Sequence, residues 1–507
     1  MNWLKKNWLI LTILLLATFF RLYRIEATMT FLEDEGRDLL IVNRMIETGR
    51  PVLLGPQTST GNMYLGPLYY YVITPALFLS GMNPIGPSIL IALTGVLTTY
   101  LIYVYGKTWL SKRAGYLASF AFAILPFAVS VTRSSWNPNL VPLITILMLM
   151  VYQQLMTIKG SKPKLWIVYG FLIGVMVQLH YMALIFCGVL SLSLVWQFRS
   201  NLKTLFIGIA SSILGAILVL LPFIIFEFRN NWVNTRAITR FIEAKEERNI
   251  RYDLPAWLWY DKVSKTTYRL SSRLFIGSET PSALGSVAVG SFLTISLLGL
   301  ILAIKQKNFV YSNLIAIEFI MLAILGIYQE NIHLHYIEFA IPLFVLTLGG
   351  FISLKLNKVV KTIYALFLVV VLIYGGINSF KLISSGANHQ IKKARDVANY
   401  IVAKASNKPY NVVSTQGMYT TPFQYFLAVS DHPPSNTLQS TIFDICEGRP
   451  CPVDDETTTL LFLTGPSHPS LSNYLGHPEM NSFSEERQMI NNDHVSVGVW
   501  VAEIMLK

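Results

Sequence analysis

Apolar runs of near-spanning length alternate with short basic loops from the first residues to about residue 380. Segments 7–23, 86–105, 114–132, 138–158, 165–180, 182–198, 204–226, 283–304, 309–328, 338–354 and 362–380 each approach the length that crosses a hydrocarbon core as a helix, so the pattern predicts roughly eleven transmembrane helices. Segment 64–80 is different, because it is short, contains Pro67 and Pro75, and lies between Gly61 and Gly81. If it spanned, every later loop would change side. If it does not, Lys107, Lys112 and Arg113, then Lys159, Lys162 and Lys164, Arg199 and Lys203, Lys305 and Lys307, and Lys355, Lys358 and Lys361 all fall on the side of Lys5 and Lys6. That arrangement obeys the positive-inside rule in every cytoplasmic loop. Segment 64–80 therefore reads as an interfacial or re-entrant helix inside a first external loop, residues 24–85. The N-terminus is expected in the cytoplasm, with a second long external loop at 227–281 and residues 381–507 outside.

Two regions follow other periods. After Asp34, Leu39, Val42 and Ile46 recur at helical spacing with charges opposite, which predicts an amphipathic helix that ends at Gly49. Residues 381–507 read as a small α/β domain. Helical pattern runs through IKKARDVANYIVAKA and TPFQYFLAV, and strand pattern through YNVVST, TLLFLT and VSVGVWVAEI. Residues 1–380 form the transmembrane domain in this division.

Composition supports a membrane class. With 53% hydrophobic and 13% charged residues the chain is too apolar for water. The net charge of +12 sits largely in loops between apolar segments, where it records orientation and not affinity for nucleic acid. The first apolar run meets Arg21, Tyr23 and Arg24 without a small-residue cleavage site and reads as a retained anchor. No N-x-[ST] acceptor occurs, which favours a bacterial or archaeal cell membrane. Cys446 and Cys451, five apart in an external domain, are expected to form a disulfide, and Cys187 reads as a buried hydrophobe. No cofactor is evident. His333 and His335 share a face in extended backbone and are a candidate pair for a divalent metal, but no third ligand accompanies them.

Chemistry is most concentrated where the first span leaves the membrane. Asp34 is either a helix N-cap, a role that needs only a short acceptor, or a base that takes a proton from an incoming hydroxyl or amine, with Glu35 orienting the site. Arg133 and Asn137 follow the third span, where an arginine either snorkels to the interface or meets a phosphate or carboxylate. Gln178, His180 and Tyr181 occupy a break between spans. Glu330, His333, His335, Tyr336 and Glu338 crowd one external turn. Arg229, Arg236 and Arg240 match phosphate geometry, or face lipid headgroups. Tyr64, Tyr69, Tyr70, Tyr71 and Trp136 are either an aromatic belt or a platform for a sugar ring.

The order of first span, external Asp34-Glu35 with Arg37 two residues on, amphipathic helix, Gly66-Pro67 helix, many spans and an external C-terminal domain resembles the glycosyltransferases that use polyprenyl-phosphate sugars. Protein O-mannosyltransferases and lipid A aminoarabinose transferases belong to this group, within the C-type glycosyltransferase superfamily. The resemblance is strongest over residues 1–160. It implies a C-type bundle and an inverting transfer on the extracytoplasmic face. Asp34 would act as base, with Glu35 and Arg37 organising the loop and the phosphate end of the donor. The implied partners are a polyprenyl-phosphate-linked sugar and a protein, lipid or glycan acceptor. The chain departs from the mannosyltransferase pattern at Leu65-Gly66, where His precedes the proline, and at RSSWNPN, where Asp is common. A transporter or flippase of lipid-linked sugars is the alternative class. Against it stand the missing inverted repeat and the acids gathered outside the first span.

Overall fold

The computed structural model describes residues 2–58, 63–157, 160, 162–243, 255–328, 331–416, 421–435, 439–451 and 487–506. Helices occupy each apolar segment named above. Five of them, Ile85–Leu110, Asn137–Thr157, Leu202–Arg229, Ala283–Lys305 and Lys358–Ser384, are long and apolar enough to cross a membrane by length and composition. Shorter apolar helices, including Pro163–Leu179, Ala183–Phe198 and Phe309–Leu325, accompany them. Leu202, Phe206, Ile363 and Leu366 stay exposed on these helices, a surface suited to lipid tails. The protein is a polytopic helical membrane protein with a small α/β sheet near its C-terminal end.

Segment 114–132 departs from the single helix expected. The helix Lys112–Ile124 stops at Leu125, which is extended at φ −74° and ψ 140°, and Pro126–Ser130 begins a new one. The ring of Pro126 crowds the residue before it out of helical backbone. Segment 64–80 contains one helix, Leu68–Leu79, with Pro75 inside it.

The chain divides into two compact units. The larger comprises residues 1–23, 57–69 and 89–386, and the smaller comprises 24–56, 70–88 and 387–507.

In the larger unit, glycines let helices meet backbone to backbone. A Cβ on Gly170 would stand 1.8 Å from the Ser212 carbonyl oxygen, and one on Gly215 would stand 2.0 Å from that of Ile167. The helices Pro163–Leu179 and Leu202–Arg229 therefore pack closely through small residues, the usual means of helix association in hydrocarbon. Arg21, fully buried, donates to the carbonyls of Ala17, Phe122, Ala123 and Ala128. These are mostly the carbonyl ends of the broken helix, where a cation is favourable.

The smaller unit is built around a four-stranded sheet of β1 (Asn411–Gln416), β2 (Thr441–Glu447), β3 (Arg487–Ser496) and β4 (Val499–Leu506), in the order β1-β2-β4-β3. β1 and β2 are parallel, and helix Thr421–Ala428 lies between them in sequence, as a parallel crossover requires. β4 runs antiparallel to both its neighbours. The expected strand VSVGVWVAEI is instead the end of β3, a turn and β4. Gly498, at φ +67°, adopts the left-handed backbone that a two-residue hairpin turn needs. The expected strand TLLFLT lies outside the described residues, as does Glu330. Cys446 and Cys451 form a disulfide at the end of β2.

The helices Glu33–Thr48 and Gln390–Ala405 complete this unit. Asn388 Nδ2 and the His389 N–H donate to the carbonyls of Met29 and Ala27, and the Phe31 N–H donates to Gln390 Oε1. Residues 27–31, just after the first helix, are thus sewn to residues that follow the last apolar helix.

Candidate functional site

The helix Glu33–Thr48 has three acids in its first turn, the end where the helix dipole favours negative charge. It begins two residues earlier than the N-cap reading of Asp34 requires. Leu32 is the N-cap position, and Glu35 Oε2 accepts from the Leu32 N–H at 3.0 Å. Glu35 therefore satisfies the terminal donor, and Asp34 is left free of capping. Gly49, at φ +64°, ends the helix as expected. Leu39 and Val42 are buried on the inner face, while Ile46 is only half-buried.

Asp34, Arg37 and Asp38 fall on one helical face by their i, i+3, i+4 spacing. Arg37 Nη1 donates to Asp34 Oδ1 at 2.7 Å, while Nη2 and Nε donate to Asp38 Oδ1 at 2.7 and 3.0 Å. Tyr70 Oη adds a bond to the same Asp38 oxygen at 3.2 Å. The two carboxylates differ in exposure: the Asp34 side chain is 43% exposed and that of Asp38 is 1% exposed. One acid meets solvent, and the other anchors the guanidinium from below. Burial pushes the Asp38 carboxyl up to about 6 against the pull of Arg37. Asp38 and Tyr70 complete this array, yet the sequence reading gave Asp38 no role and placed Tyr70 only in an aromatic belt or sugar platform. The spacing of Asp38 from Asp34 was the available signal.

Burial also pushes the Glu35 carboxyl up to about 7; its bond from Leu32 opposes the shift, and the neighbouring Asp34 and Asp38 add to it. Between about pH 4.5 and pH 7 the unfolded chain has lost this proton and the folded chain retains it, so stability falls as pH rises through that window. The loss is of order 3 kcal/mol once complete. Asp38 contributes a similar fall that ends nearer pH 6. Glu35→Gln keeps an acceptor for Leu32 and removes the titration. The variant is expected to melt higher than wild type at pH 8 and to lose the upper part of the pH slope in a thermal scan. A slope equal to wild type would show that Glu35 does not titrate in this way.

The larger unit gathers a second set of the predicted residues. The rings of Trp136 and His335 lie 4.3 Å apart, those of His180 and Tyr336 4.7 Å, and those of His335 and Tyr336 4.5 Å. His333 stands 5.6 Å from His335 and is exposed. Burial pushes the His180 imidazole down to about 4. Burial also lowers His335, to about 3, with His180 and His333 adding to the effect. Both are neutral at physiological pH, which gives the cluster ring faces and hydrogen-bonding nitrogens in place of positive charge. Glu338, close by in sequence, is buried with neither carboxyl oxygen partnered among the described residues, and burial holds it well above its usual range.

Other predicted residues have structural partners. Arg133 is buried and donates to the carbonyls of Phe20, Arg21 and Tyr23, closing the end of the first helix. It neither snorkels nor presents those donors outward. Asn137 Nδ2 donates to the Leu179 carbonyl at 2.6 Å. Tyr181 Oη donates to the Tyr64 carbonyl at 2.5 Å, and Asn234 both donates to that carbonyl and accepts from the Tyr64 N–H. This fixes the backbone of Tyr64 just before Leu65-Gly66-Pro67. Asn234 was not foreseen, since a lone Asn in a polar loop has no distinguishing pattern. Arg229 is exposed at the end of the long helix Leu202–Arg229.

Residues 65–226 match the family model described as dolichyl-phosphate-mannose-protein mannosyltransferase. No curated protein matches the chain by sequence. Among solved structures, ArnT from Cupriavidus metallidurans bound to undecaprenyl phosphate superposes with a TM-score of 0.60 at 11% identity, over 99% of this chain and 98% of that one. An Archaeoglobus fulgidus oligosaccharyltransferase tethered with an acceptor peptide gives a TM-score of 0.46 at 12% identity, over 87% of this chain and 62% of that one. The chain thus matches the mannosyltransferase family model over residues 65–226 and shares the fold of ArnT along nearly its whole length.

Proposed function

We propose that the protein transfers a sugar from a polyprenyl-phosphate carrier to an acceptor on the extracytoplasmic face of the membrane, with Asp34 as general base. The observation that carries this reading is the contrast within the acidic array. Asp34 is open to solvent and oriented by Arg37, while Glu35 and Asp38 are buried and hold the Leu32 N–H and the Arg37 guanidinium. In the transfer, Asp34 takes the proton of an acceptor hydroxyl or amine as that atom bonds to the anomeric carbon. The bond from that carbon to the phosphate oxygen breaks, and the lipid phosphate leaves with the electron pair. A single displacement inverts the anomeric configuration.

Arg37 spends its donors on Asp34 and Asp38, so its part is to organise the base, while Arg229 keeps the phosphate role suggested by its exposure and guanidinium geometry. The neutral rings of Trp136, His180, His335 and Tyr336 suit the apolar face of a pyranose. A cytoplasmic N-terminus and an external C-terminal domain follow from the placement of the basic loops. The fold shared with ArnT of Cupriavidus metallidurans, and the undecaprenyl phosphate to which that protein is bound, support a lipid-phosphate donor.

The test is a panel of labelled polyprenyl-phosphate sugars offered to membranes containing the protein. The expected result is release of free lipid phosphate together with a labelled product of inverted configuration. Turnover should survive chelation of divalent metal, since proton removal and a phosphate leaving group complete the step. Movement of intact lipid-linked sugar across vesicles, without a new glycosidic bond, would replace this reading with a flippase.

A further inference from the structure

We propose that Asp38 is a positioning residue of the transfer site, setting the geometry of Asp34 through Arg37; this rests on the glycosyltransferase reading above. Asp38 follows Asp34 by one helical turn and is shielded from solvent, so it cannot meet an acceptor itself. Its Oδ1 takes both Nε and Nη2 of Arg37, and Tyr70 Oη closes on the same oxygen. A guanidinium is planar and rigid, so fixing two of its nitrogens also fixes the direction of the third. That third nitrogen, Nη1, is the one that meets Asp34 Oδ1 at 2.7 Å. The orientation of the exposed acid is thus inherited from the buried one.

Stability does not account for this arrangement. Asp38 Oδ2 is buried and has no hydrogen-bond partner among the described residues, and a buried ion pair left partly unsatisfied is a poor source of folding energy. What the pair supplies is a fixed direction for one donor. Tyr70 adds to this as a neutral brace, since its hydroxyl approaches the carboxylate oxygen already held by Arg37.

The experiment is a double-mutant cycle on the full chain in membranes, read as release of lipid phosphate from a labelled polyprenyl-phosphate sugar. Asp38→Asn is expected to lower kcat by about 100-fold, the scale on which small misplacements of a reacting group act, with the KM for donor changed less than about threefold. Arg37→Gln is expected to lower kcat at least as far. The pair of substitutions together should lose no more than Arg37→Gln alone, because Asp38 acts only through that side chain. The double variant also leaves no buried charge unpaired, so it remains informative where Asp38→Asn accumulates poorly. Asp38→Glu should recover part of the rate and Asp38→Leu none. Multiplying losses in an active enzyme, or Asp38→Leu as active as Asp38→Glu, would overturn the positioning role and leave the glycosyltransferase reading standing. A wild-type protein that turns over no donor would overturn both.

Discussion

Asp34→Asn is expected to lower sugar transfer by about 10³-fold while the protein accumulates and melts as the wild type does. The substitution is isosteric, and its carbonyl oxygen still accepts from Arg37 Nη1, so the helix face keeps its geometry. Asp34 is 43% exposed, and ion pairs this open to water contribute little to stability. Losing its charge therefore costs the fold little, since Asp38 retains the main hold on Arg37. The amide cannot take a proton, and that is the whole of the change in chemistry. Initial rates of lipid-phosphate release, compared at equal amounts of folded protein, check the prediction. Turnover near the wild-type rate would remove Asp34 from the base role. A fall in both rate and melting temperature would instead assign it to the fold.

Periodicity made the helical bundle legible, because lipid demands long apolar runs and the loops between them keep their basic residues. The same logic exposed Asp34 and Glu35, since charge clustered at the end of a span is conspicuous. It did not separate their roles. Which acid caps the helix and which faces solvent depends on where the helix starts, and a shift of two residues decides it. Asp38 lay in plain view four residues on, but burial is a tertiary property, and a charged residue on an amphipathic helix reads as part of its wet face. Arg133 shows the reverse. It resembled a phosphate ligand because intramembrane arginines need partners, and its partners prove to be the carbonyls of a distant helix end. The edge strand β3 went unread because RQMINNDHVS lacks the apolar alternation of a half-buried strand.

Gly36→Ala is expected to destabilise the smaller unit and to lower transfer at least about tenfold, although alanine is the better helix former by about 1 kcal/mol. The added methyl would stand 2.5 Å from Thr421 Oγ1 and 2.6 Å from both Pro422 N and Thr421 C. Two of those three atoms are backbone, and Pro422 has little freedom to turn aside, so the helix Thr421–Ala428 must move. That helix is docked by Glu33. The Thr421 N–H donates to Glu33 Oε2 at 3.1 Å, and Thr421 Oγ1 donates to the Glu33 carbonyl at 2.6 Å. Phe31 adds ring contacts to Tyr425 and Phe426. Overpacking of this kind costs about 1–3 kcal/mol, which outweighs the gain in helix propensity. Because Glu33 directly precedes Asp34, strain at this contact falls on the turn that holds the base. Thr421→Ala in the Gly36→Ala background removes only the hydroxyl and leaves both backbone clashes, so it should not restore the rate. Thermal melting and limited proteolysis of the variants measure the structural part, and lipid-phosphate release measures the chemical part. A Gly36→Ala protein that melts above the wild type would mean that propensity prevails and that the contact is looser than its geometry implies. A lower melting temperature with an unchanged rate would mean that the C-terminal sheet steadies the loop without tuning the acid it carries.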